Sequence, residues 1–84
     1  MMKILYFAWL AERLGCPEEQ IDKPDHVQTA DDLRRLIQER YPTQASILHD
    51  TDALRVAVNQ NLVDWQHTIY DNDEIALFPP MTGG

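Results

Sequence analysis

The chain has 84 residues, a single cysteine, only three glycines and no long hydrophobic run. Each shortage removes a class of protein. With Cys16 alone, no internal disulfide can form, and a reducing compartment is the simplest setting. The opening MMKILYFAWLAERLG meets Glu12 and Arg13 too soon for a secretory signal or a membrane span, so the expectation is a cytoplasmic protein with no membrane contact. Basic residues are also scarce: seven Lys and Arg stand against fourteen Asp and Glu, a formal net charge of −7. Nucleic-acid binding rests on a basic face that neutralises phosphates, and no such cluster is present, so no nucleic-acid partner is expected. The acidic balance favours a basic partner instead, because complementary fields steer association. His26, His49 and His67 have no metal-ligand spacing and no second cysteine beside them, so no metal site is expected.

What is present reads as one small α+β domain. At this length the chain buries roughly 60 % of its unfolded surface, which leaves little mass for a deep active site. Function should therefore lie on a surface or at an end. Met2 to Ala8 is apolar on both alternating sets, Ile4 and Tyr6 against Leu5 and Phe7, as a strand with two buried faces would be. Trp9 to Leu14 has helical composition, with Gly15 as its stop. Glu18 to Lys23 reads as a polar edge strand ended by Pro24. Thr29 precedes Ala30-Asp31-Asp32, a capping box in which Asp replaces the usual Glu. Leu33, Leu36, Ile37 and Tyr41 then follow at helical spacing up to Pro42. Leu54, Val56 and Val58 mark one face of a strand, Asn59-Gln60-Asn61 a turn, and Leu62-Val63 a short strand. Asp71-Asn72-Asp73 is a second turn, and Glu74 to Phe78 the last strand, with Ile75 and Leu77 opposite Ala76 and Phe78.

The first and last strands are the most apolar, which places them side by side at the centre of a sheet with helices gathered on one face. Leu5, Phe7, Ala76 and Phe78 would then form a hydrophobic patch on the other face, unless Trp9, Trp65 or loops cover it. Such a patch marks a partner site. Pro79 has no amide hydrogen and Pro80 favours an extended chain, so the ladder must stop and the chain must leave in a stiffened direction. Residues 1–79 read as the folded domain and 80–84 as an extended tail. From Pro79 onward the chain reaches on the order of 20 Å when extended. Gly83 and Gly84 have no Cβ and fit a channel too narrow for other residues. The terminal carboxylate is ionised at neutral pH and, in another enzyme's site, can attack the α-phosphate of ATP.

The strand KILYFA, the segment VAVNQNLV (Val56 to Val63), the stretch DNDEIALFPP (Asp71 to Pro80) and the ending MTGG resemble the small-subunit family of molybdopterin synthase, the ubiquitin-like β-grasp sulfur carriers. The resemblance covers essentially the whole chain and is sharpest where VNQ, DE, FPP and TGG follow in order. It implies that an adenylating enzyme related to ubiquitin-activating enzymes, using ATP and Mg²⁺, converts Gly84 to an acyl-adenylate. A sulfur donor such as a cysteine desulfurase then supplies the sulfur of a thiocarboxylate, with no cofactor bound permanently. The tail, Pro80, Met81, Thr82 and Gly83, would enter the large synthase subunit, where the catalytic residues lie, and pass its sulfur to cyclic pyranopterin monophosphate. Two transfers make the dithiolene of molybdopterin. The resemblance also implies a heterotetramer of two small and two large subunits, with Phe7, Leu62 and Phe78 at the partner-facing surface. Many relatives have Asp-Gly-Asp where this chain has Asp71-Asn72-Asp73, and Asn holds the same kind of turn. Thr43 to Asp52 carries no family motif.

Other readings compete. Cys16 could relay sulfur, but it lies in a polar turn with no histidine near it in sequence. Asp31-Asp32 and Glu18-Glu19 look like a helix start and a solvated strand rather than an acid/base pair. Trp9 and Trp65 lack the basic groove that goes with base stacking. A carrier for thiamine thiazole synthesis, a protein-modifier tag and an interaction domain with an inert tail are the alternative functions. Thiamine-type carriers tend to be shorter and to lack FPP before the tail.

Overall fold

The computed structural model describes residues 1–79. The chain runs β1 (Met2–Tyr6), α1 (Ala8–Leu14), β2 (Glu18–Ile21), α2 (Ala30–Arg40), a 3₁₀ turn (Pro42–Gln44), α3 (Ala45–His49), β3 (Arg55–Val58), β4 (Asn61–Val63) and β5 (Glu74–Phe78). The strands form one sheet in the order β2-β1-β5-β3-β4. The apolar first and last strands are neighbours at the centre and run parallel, with Ile4 beside Ile75 and Tyr6 beside Leu77. All other pairings are antiparallel. The result is a mixed α+β sheet of the ubiquitin-like β-grasp kind. No helix among the described residues is long and apolar enough to cross a membrane.

The core lies between the sheet's inner face and the helices. Met2, Ile4 and Tyr6 of β1, Ile75 and Leu77 of β5, and Val56 and Val58 of β3 are buried against Leu10, Leu14, Leu33, Ile37 and Leu48. The Tyr6 hydroxyl reaches the edge of this core and donates to Glu19 Oε2 at 2.6 Å. Burial, followed by that hydrogen bond to an acidic partner, pushes the phenol far above its usual pKa, so Tyr6 is a structural donor and not a proton shuttle.

Local chemistry explains most of the boundaries. α2 opens on the capping box read in the sequence: Thr29 Oγ1 accepts from the Asp32 amide and the Asp32 carboxylate accepts from the Thr29 amide. The two preceding amides of the first turn, Ala30 and Asp31, donate to the carbonyls of His67 and Trp65. The long β4–β5 connection therefore finishes the cap, and no donor of the first turn is left without a partner. Gly15 ends α1 at φ 82°, where its amide donates to the Ala11 carbonyl.

Four boundaries differ from the sequence reading. β1 stops at Tyr6, not Ala8, because Ala8 turns to φ 55° and starts α1. β2 stops at Ile21, before Asp22 and Lys23. Asn61 belongs to β4, paired with Val58, so the hairpin has a two-residue loop. Asn59 and Gln60 both have positive φ in that loop, as the tightest hairpins of right-handed twist require. Finally, the stretch after Pro42, which carries no family motif and was assigned no element, is helical almost to Asp50.

Candidate functional site

The face of the sheet opposite the helices is where the strands' second set of side chains emerges. Strand register lines up one transverse row: Leu5 lies beside Ala76, Ala76 beside Ala57, and Ala57 beside Leu62. Phe78 lies one step further along, beside Arg55. Phe7, just past the end of β1, is extended and its amide donates to the Leu77 carbonyl at 3.2 Å, which keeps it level with the end of β5. Phe7 is 48 % exposed and Leu62 69 %, while Leu5, Ala57, Ala76 and Phe78 are half-buried. Alternation had singled out Phe7 and Phe78. Leu62 had no such support, and the register now sets it on the same face, at the far end of the row.

Of the side chains offered as a cover, Trp65 does not lie on this face. Trp65 packs on the helical side, where its Nε1 donates to the Thr51 carbonyl and the Arg34 guanidinium sits 5.9 Å from the ring centroid. Trp9 is itself 38 % exposed, with Arg13 5.8 Å from its ring.

Because β1 and β5 are parallel, their C-terminal ends share one edge of the domain. The point at which the chain leaves the sheet is therefore flanked by Phe7 and Phe78. β5 is held from both sides, by β1 and β3, and Pro79 is buried, so the root of the tail is fixed. Pro80, Met81, Thr82, Gly83 and Gly84 lie outside the described residues.

A second feature was not among the residues singled out from the sequence. Asn59 of the hairpin loop bridges to the start of β5: its Nδ2 donates to Asp73 Oδ1 and its Oδ1 accepts from the Glu74 amide, both at 3.0 Å. Its own amide donates to the Glu74 carbonyl at 2.8 Å. The VNQ and DE motifs are thus two halves of one clamp that sets β3 against β5. Their joint presence in the sequence was the available signal.

The other candidates are separated from this face. Cys16 Sγ lies 3.5 Å from the Tyr41 hydroxyl and packs against the core. Tyr41 is pushed above the usual phenol range, first by burial and then by its hydrogen bond to Cys16 and the nearby Glu19 carboxylate. No group of three or more His, Cys, Asp or Glu among the described residues could hold a metal ion. A groove of about 520 Å³ lies between α2 and α3, lined by Arg34, Arg35 and His49 among others. Its lining contains no nucleophile paired with a base.

The pattern of the ThiS family matches residues 4–84. This chain belongs to the ThiS family. It is 38 % identical to the Molybdopterin synthase sulfur carrier subunit of Escherichia coli (strain K12), over 100 % of both chains. Among solved structures, this ThiS-family chain superposes with a TM-score of 0.78 on the putative molybdopterin converting factor, subunit 1, of Pyrococcus furiosus, at 29 % identity and covering 95 % of this chain and 97 % of that one. With SAMP1 of Haloferax volcanii the TM-score is 0.81 at 27 % identity, covering 99 % and 98 % of the two chains.

Proposed function

We propose that this chain is the sulfur-carrier subunit of a molybdopterin synthase and that Gly84 carries the sulfur. In this reading an activating enzyme uses ATP and Mg²⁺ to turn the Gly84 carboxylate into an acyl-adenylate, with pyrophosphate as the leaving group. A sulfur donor system displaces AMP and leaves a thiocarboxylate. The slim tail then enters the large subunit, whose residues perform the transfer to cyclic pyranopterin monophosphate. Two loaded copies supply the two sulfurs of the dithiolene, in keeping with a heterotetramer. The observation that carries this reading is the full-length 38 % identity to a protein of that name. The apolar outer face beside a fixed tail root supports it, because a carrier needs a dock and a free end that reaches away from it.

The reading is tested by incubating the chain with the activating enzyme, ATP and a sulfur source, then measuring intact mass. The expected result is the increment of one oxygen exchanged for sulfur, mapped to Gly84 and absent when Gly84 is deleted. An unchanged mass with an activating enzyme that loads a known carrier overturns it. A protein-modifier role is the second reading, favoured by the likeness to SAMP1, other examples of which are named small archaeal modifier proteins. Isopeptide adducts on lysines in cell extract would support it, and their absence counts against it.

A further inference from the structure

Among the described residues, Arg55 is the cation of the outer face that stands next to the tail root, and its guanidinium is already half engaged. Nη1 donates to the carbonyls of Asp52 and Leu54, both at 3.0 Å. An arginine has five N–H donors in a rigid fork, so these bonds occupy the two hydrogens of Nη1 and leave Nε–H and both hydrogens of Nη2. None of the ion pairs among the described residues involves Arg55, whereas Lys3, on the same face, lies 3.7 Å from Glu18. The free Nε/Nη2 edge is the side-on geometry that matches the two oxygens of a carboxylate. The side chain is exposed, and its Cα lies directly across from that of Phe78.

A protein that covers Phe78 also covers this edge. Three guanidinium donors taken out of water without acceptors would be costly, so the covering surface must supply acceptors. We infer that Arg55 is a specificity-determining residue of the outer face, and that the docking protein places an Asp or Glu carboxylate against its Nε/Nη2 edge. The two carbonyls that hold Nη1 fix the direction of the fork before docking, so less side-chain freedom is lost when the pair forms. On a chain of net charge −7, a cation beside the tail root also favours one orientation: at the opposite end of the face the cation, Lys3, already lies 3.7 Å from Glu18 and in register with Glu74, so a partner turned end for end would find its carboxylate's place taken. The inference rests on the large-subunit reading given above and adds the recognition chemistry at one point of that surface.

The test measures the affinity of the full chain for purified molybdopterin synthase large subunit by titration calorimetry, at low and high salt. The variants are R55L, R55K, R35L and F78A, with thermal melts to confirm folding. R55L is expected to weaken binding by about 10- to 100-fold at low salt, with the loss shrinking at high salt. R55K should recover only part of it, because an ammonium cannot present the fork. R35L removes the same charge from the helical side and should stay within about twofold. If F78A weakens binding while R55L does not, the Arg55 pair is wrong and the docking reading stands. Equal losses in R55L and R35L would replace the local pair by a general charge effect. If the unaltered chain does not bind the large subunit at all, the docking reading fails and the pair fails with it.

Discussion

The same chemical change, leucine to alanine, should have opposite consequences on the two faces of the sheet. Leu77 is 0 % exposed and sits in register between Tyr6 and Val56. Leu77→Ala removes three buried carbons and leaves a cavity, at a cost of about 2–5 kcal/mol. A domain of this size has a total stability of order 4–13 kcal/mol, so that loss lowers the melting temperature by roughly 8–40 °C. Leu62 is 69 % exposed. Leu62→Ala should change stability by less than about 0.5 kcal/mol, as surface substitutions do. Fully burying a leucine stabilises by about 1.5–3 kcal/mol, and roughly seven-tenths of this side chain is still free to be buried. Docking should therefore weaken by about 1–2 kcal/mol, or roughly 5- to 30-fold in Kd. Thermal melts and titration calorimetry against the large subunit measure the two quantities separately. The assignment of faces is refuted if Leu62→Ala melts like Leu77→Ala. The docking role of Leu62 is refuted if the variant folds and binds unchanged.

Two further predictions concern the ends of the helices. The Asp32 carboxylate accepts the amides of Gln28 and Thr29 at 2.9 and 3.1 Å, and these bonds hold its pKa below the usual carboxylate value. A depressed folded pKa means that the stabilisation is complete above the unfolded pKa near ~3.9 and fades as pH falls through the lower folded value. Asp32→Ala should accordingly cost about 1 kcal/mol at pH 7, and urea titrations should show the gap to the unaltered chain closing in strong acid. A gap that stays constant down to acid would show that the carboxylate's charge is irrelevant there. At the other junction, Ala8 sits at φ 55°, a left-handed conformation that hinders any side chain and β-branched ones most. Because Ala8 is exposed, packing does not obscure the effect. Ala8→Val should lower stability by about 1–3 kcal/mol, while Ala8→Gly removes the Cβ conflict and should melt no lower than the unaltered chain. A valine variant at least as stable as alanine would remove the strain argument.

The parts of the fold that could be read in the sequence are those decided within a few residues. Thr29 and Asp32 form a cap because a hydroxyl and a carboxylate three positions apart meet the amides of one turn. β1 and β5 could be recognised as central because both of their alternating sets are apolar. α3 could not be recognised. Gln44 provides no side-chain cap, and the helix is held instead by burial of Leu48 and by Arg34 Nη1 donating to the Leu48 carbonyl from α2. Those contacts span fourteen positions, beyond any local pattern. The candidate surface divides in the same way. Phe7 and Phe78 follow from alternation, but Leu62 depends on the β3–β4 hairpin having two loop residues rather than three. A one-residue slip would turn its side chain to the opposite face. Gln60, with φ 72°, is not a residue one would choose for that loop, so the sequence understates how tight it is. Arg55 owes its place beside the tail root to the β3–β5 register, which no local pattern displays.

Parallel strands ordinarily have both faces covered, which is why they read as continuous apolar runs. β1 and β5 have that composition and are the parallel pair of this sheet, yet the helices supply a layer on only one side. The sheet is built like the middle of a three-layer structure from which one layer is absent. Small side chains at Ala57 and Ala76 flatten the centre of the uncovered face, while Leu5, Leu62, Phe7 and Phe78 rise around it. An exposed surface of this kind is an aggregation hazard unless something else restrains it. Here the polar edge strand β2, with Glu18 and Glu19, and the net charge of −7 oppose self-association without covering the apolar centre. In the carrier reading, the missing layer comes from another protein. Because β1 and β5 end at the same edge, a protein that supplies the layer stands next to the point where the chain leaves the sheet at Pro79. Docking and delivery of whatever follows Pro79 are thereby coupled through one parallel pairing. Had β5 been antiparallel to β1, the same apolar face would have formed with Phe7 and the exit at opposite ends.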